Sequence, residues 1–60
     1  MKKISIKNIL QIYIHQGLTV LIEYLDRIEY EPTDKYAKII MDNKKNSDVV
    51  ESEIKKILKQ

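Results

Sequence analysis

One glycine decides what this chain can become. Gly17 lies in the stretch YIHQGLTVLIEY, from Tyr13 to Tyr24, and is the only glycine in sixty residues; Pro32 is the only proline. Three uses of Gly17 are open. It can break one helix from the next, sit inside a continuous helix at about 1 kcal/mol relative to alanine, or form a hairpin turn with Gln16.

The flanking residues carry two competing periods. Read as helix, Leu18, Leu21, Ile22, Leu25 and Ile28 make one apolar stripe, with Thr19, Glu23, Asp26 and Arg27 opposite. Upstream, Ile6, Ile9, Leu10, Tyr13 and Ile14 form a second apolar face, against Lys7, Asn8, Gln11 and His15. Read as strand, the even positions from Ile4 to Tyr30 are apolar except Asn8, Gln16 and Asp26. The strand reading leaves Leu21 and Leu25 on a polar face, and Gln-Gly is a weaker hairpin signal than Asn-Gly. The preferred expectation is therefore helices at Asn8–His15 and Leu18–Glu29, with continuity through Gly17 and a short N-terminal strand at Lys2–Ile6 as options.

The second half reads more clearly. In EPTDKYAKIIMDN, Pro32 and Thr33 signal a helix start with Thr33 as N-cap, and Tyr36, Ala37, Ile40 and Met41 share a face. Asp34 and Lys38 are spaced to pair, and Asn43 suits a left-handed C-cap. In NSDVVESEIKKILKQ, Ser47 or Asp48 caps a helix whose stripe is Val50, Ile54, Ile57 and Leu58. Acids come early in it and lysines late, as the helix dipole prefers. The fold class expected is mainly α, a small bundle of about four short helices. The alternative is α+β, with an antiparallel hairpin over Leu10–Tyr24 packed on a C-terminal helix.

A chain this short buries only roughly 60% of its unfolded surface. It has no cysteine, so neither disulfides nor thiolate metal sites add stability. A homodimer through the apolar faces of the first two helices is the expected compensation. With 43% hydrophobic and 33% charged residues the composition is that of a folded domain. No apolar run approaches the ~20 residues of a membrane span, and Lys7, Asn8 and Gln11 interrupt any signal-like segment. A cytoplasmic location without membrane contact is expected.

Most chemistries lack parts. A phosphate loop needs several glycines, and a structural zinc site needs four Cys or His ligands where the chain offers only His15. Ser5, Ser47 and Ser52 have one imidazole between them and no oxyanion loop. Glu23, Asp26, Glu29 and Glu31 read more simply as a solvated acidic face than as a catalytic pair. The expectation is a non-catalytic protein without cofactor or metal.

Two binding functions follow. The first is a small regulator that modulates a partner protein by direct contact, through Glu23, Asp26, Arg27 and Tyr30 as one acidic, tyrosine-bearing helical face. The second starts from the N-terminus, where Met1–Lys7 holds three lysines and no acid. With KKISIK drawn as a strand, Gly17-Leu18-Thr19 as a break and helices on either side, the chain resembles the ribbon-helix-helix repressors. That resemblance covers Lys2–Glu29 and implies a dimer whose paired N-terminal strands enter the major groove of DNA, with Lys3, Ser5 and Lys7 reading bases. The chain departs from the family in its short first helix and in the few polar residues around the start of the second.

Overall fold

The computed structural model describes residues 2–59. Its element order is β1 (Lys2–Ile4), α1 (Ile6–Arg27), β2 (Tyr30–Pro32), α2 (Lys35–Asp42) and α3 (Ser47–Leu58). The chain is mainly helical, as expected, but with three helices instead of about four. No hairpin forms at Gln16-Gly17. The sheet is instead a parallel pair, with Lys2 opposite Tyr30, Lys3 opposite Glu31 and Ile4 opposite Pro32.

Parallel strands need a long crossover, here supplied by α1. A straight helix of 22 residues would span about 33 Å, whereas the whole molecule is 30 Å in its longest dimension. Only Ile28 and Glu29 separate α1 from β2, and two extended residues reach about 7 Å. The chain returns to β1 because α1 is broken at Gly17, whose φ of 89° and ψ of 172° are not helical. This region is open essentially to glycine alone.

The break also aligns the core. At 100° per residue, Leu21 and Leu25 would lie about 120° and 160° round an unbroken helix from Ile9. All three are nonetheless fully buried in one cluster with Ile4, Ala37, Ile40, Val50 and Ile54. Each of α1, α2 and α3 thus gives the cluster a pair or more of residues on one face. The faces of α1 expected to pair with a second copy are largely used inside the chain. Ile14, 62% exposed, is left outside.

The helix starts fit their sequences with some shifts of cap. Ser5 caps α1, accepting from the Asn8 N–H at 3.4 Å while its own N–H reaches Asn8 Oδ1 at 3.3 Å. Asp34, not Thr33, caps α2: Oδ1 accepts from Ala37 N at 2.7 Å and Oδ2 from Ile6 N at 2.9 Å. One carboxylate therefore serves the first turns of two helices, reaching in α1 a residue 28 positions away. Thr33 is drawn to β1, where its N–H and hydroxyl both donate to the Ile4 carbonyl. Lys38 accordingly pairs with Asp42 at 3.2 Å, not with Asp34. Asn46, one residue before Ser47, caps α3. Asn43 ends α2 at a φ of −111°, outside the left-handed region, with its side-chain amide donating to the Ile39 carbonyl.

Nothing lies within 4 Å of the Cβ that an alanine would add at position 17, so its cost is backbone strain alone. Gly17→Ala should lower stability in urea unfolding by about 1–3 kcal/mol, while D-alanine at the same position, made by chemical synthesis, should be neutral or stabilising. An L-alanine variant as stable as the parent contradicts the break.

Burial alone would raise the Asp34 carboxyl pKa, but backbone N–H donors from Ala37, Ile6 and Tyr36 outweigh it and hold the group below 3.8. A depressed folded value stabilises the protein above the unfolded pKa, and that contribution disappears as pH falls through the folded one. Asp34→Ala should cost about 2 kcal/mol at neutral pH, for one cap and one further bond. Urea titrations between neutral and acid pH should show the gap to the parent closing below pH 4.

Candidate binding groove

The end of α1 turns a helical period into a strand period within three residues. Arg27 is its last helical residue, and Ile28 is extended at φ −120° and ψ 133°, its N–H closing on the Tyr24 carbonyl. Tyr30 consequently leaves the helix and stands in β2, where its ring stacks on Tyr24 with centroids 5.2 Å apart and planes 28° apart. In a parallel pair, residues in register point to the same side. Lys2 thus shares the side of the sheet that carries Tyr30 and the buried Ile4.

The first turns of α1 supply the facing wall. Asn8, Gln11 and Ile12 follow an i, i+3, i+4 spacing and complete an open groove of about 430 Å³ with Lys2, Lys3, Ile4, Tyr24 and Tyr30. Its floor is aliphatic and aromatic. Its polar ends are ammonium groups, carboxamides and phenols, and no carboxylate lines it. Asn8 Oδ1 is engaged by Ser5, so the NH2 of that amide is the end available to a ligand.

The Tyr30 pKa is pushed up to about 12, first by the water that its half-buried ring loses, then by the neighbouring Tyr24 phenol. At neutral pH Tyr30 is protonated and able to donate.

The residues proposed from sequence divide between two flanks. Glu23 stands on the side of α1 away from Tyr24, beside Leu18, Thr19, Ile22 and Ser47, where a smaller groove of about 260 Å³ opens. Asp26 and Arg27 are exposed at the last turn. Among the described residues, Glu23 and Arg27 form no ion pair. Tyr30 does not extend their face, because the helix on which it would have done so ends three residues earlier. Lys3 and Lys7 are exposed, and the Ser5 hydroxyl is used in the α1 cap. β1 pairs with β2 of its own chain, a different arrangement from a ribbon made by two chains. The pairing of Lys2 with Tyr30 left no signal in the sequence.

Other surfaces are plainer. The outer side of α3 gathers Asp48, Glu51, Ser52, Lys55, Lys56 and Lys59, of which Lys55 and Lys56 pair with Glu51 and Glu53 along the same helix. Among the described residues no helix is long and apolar enough to cross a membrane. No protein-family model matches this chain, and comparison with curated proteins and with solved structures gives no match either.

The stack has a measurable consequence. A folded phenol pKa raised above 10 stabilises the fold below pH 10, and the contribution is lost as pH climbs towards 12. In an ultraviolet absorbance titration, Tyr30 should ionise at about pH 12, and Tyr24→Phe should move that step back towards 10. An unchanged profile in that variant means the phenols are not coupled.

Proposed function

We propose that this protein is a small non-catalytic module that regulates a partner protein by direct binding, with the Tyr24–Tyr30 groove at the centre of the contact. The observation that carries this reading is the tyrosine pair itself. Tyr24 is 37% exposed and lies outside the buried cluster, so the core does not explain it. Tyrosine combines apolar area with a hydrogen-bonding tip and is enriched where binding energy concentrates.

Glu23, Asp26 and Arg27 take a second role in this proposal. Exposed charges beside an anchor steer encounter and set orientation more than they add affinity. Self-association stays within the proposal, with Ile14 as the apolar residue of α1 that internal packing leaves out.

Affinity capture with the parent, a Tyr24→Ala and Tyr30→Ala pair, and a Glu23→Ala and Asp26→Ala pair tests the reading. Loss of the tyrosines should weaken capture by about 30-fold or more, as for a hot spot of 2 kcal/mol. Loss of the acids should cost less than about tenfold. Tyrosine variants that keep a native circular dichroism spectrum and full capture contradict the proposal.

A further inference from the structure

The groove has a chemical sign, and it is opposite to that of the acids first singled out in the sequence. We infer that its occupant is an acidic protein segment carrying one apolar side chain, with the side chain seated on the tyrosine floor and a carboxylate meeting Lys2. This rests on the partner-binding reading above and adds the partner's chemistry to it.

Three observations converge on that occupant. The groove's side-chain polar groups are mainly donors: the Lys2 ammonium, the Asn8 NH2, the Gln11 amide and the Tyr30 hydroxyl, without a facing carboxylate. Such a set offers nothing to neutralise a cation and much to satisfy an anion. The floor of Ile4, Ile12 and the two rings is apolar, and an anion alone would leave it uncovered. The volume of about 430 Å³ is of the size that encloses a large side chain with its flanking polar groups.

The same geometry argues against other occupants. Tyr30 is already stacked on Tyr24, so the pair does not present the open succession of rings that single-stranded nucleic acid uses. Arg27, the sole arginine, lies outside the groove. A second copy that paired its β1 with this one would set lysine against lysine across the new edge.

The test uses the full chain and four probes: a capped peptide with one leucine between two pairs of glutamates, its glutamine and lysine counterparts, and a short oligothymidylate. Binding is followed by NMR shifts of the Tyr24 and Tyr30 rings and of Lys2. The glutamate peptide should shift these signals, and the glutamine peptide should bind about tenfold more weakly. Substituting Lys2→Gln, exposed and so without cost to the fold, should weaken the glutamate peptide by a similar factor. Raising salt should do the same.

Groove shifts that are equal or larger with the glutamine or lysine peptide overturn the acidic chemistry and leave the protein-binding reading standing. Preferential shifts with oligothymidylate overturn the inference in favour of nucleic acid. Silence of the groove towards every peptide overturns the inference and removes the groove from the partner-binding reading as well.

Discussion

The constraint on which the rest of this structure depends is the one residue at which α1 stops being a helix. Gly17 does two things with a single unusual backbone conformation. It turns the second half of α1 so that Leu21 and Leu25 join Ile9 in one core, and it returns the chain to its start so that β2 can lie beside β1. Neither result is available to a straight helix of this length. The sixty-residue chain thereby gains a βαβ-like closure without a second glycine or a disulfide.

The junction that receives the returning chain is built from short polar side chains. Asp34 ties the first turn of α1 to the first turn of α2, Thr33 ties β2 to β1, and Ser5 with Asn8 closes the start of α1. The Asp34–Ile6 and Thr33–Ile4 contacts link residues 28 and 29 positions apart, where loop closure must be offset by what the contact returns. They also shape the groove: Lys2 and Tyr30 come from the paired strands, Asn8 and Gln11 from the helix that Asp34 and Ser5 begin. Fold and candidate site therefore share one set of interactions.

Much of the helical content was legible in the sequence, because apolar periodicity reports burial directly. Leu21 and Leu25, Ala37 and Ile40, and Val50 and Ile54 were all assigned to inward faces and are buried. What periodicity could not report is a partner far along the chain. Thr33 and Asp34 are both good N-caps locally, and only the arrival of β1 decides that threonine bonds Ile4 while aspartate caps. The same limit misplaced Tyr30. Continued at 3.6 residues per turn it joins Glu23 and Asp26, but with α1 ended at Arg27 it follows a two-residue period and stacks on Tyr24. The alternation of even positions, which argued for a hairpin, survives in fact only in the three-residue strands at either end of α1.

This shift of one tyrosine changes the functional argument. Glu23, Asp26 and Tyr30 were read as one surface, but Glu23 and Tyr30 line different grooves, with lysines and amides beside Tyr30 instead. All of it follows from α1 being two directions, not one. Residual dipolar couplings of the backbone amides measure that directly. The account predicts that couplings from residues 6–16 and from residues 18–27 fit two helix axes that are not collinear and that meet at Gly17. Couplings that fit one straight axis from Ile6 to Arg27 would contradict it, and with it the closure of β2 on β1 and the groove between them.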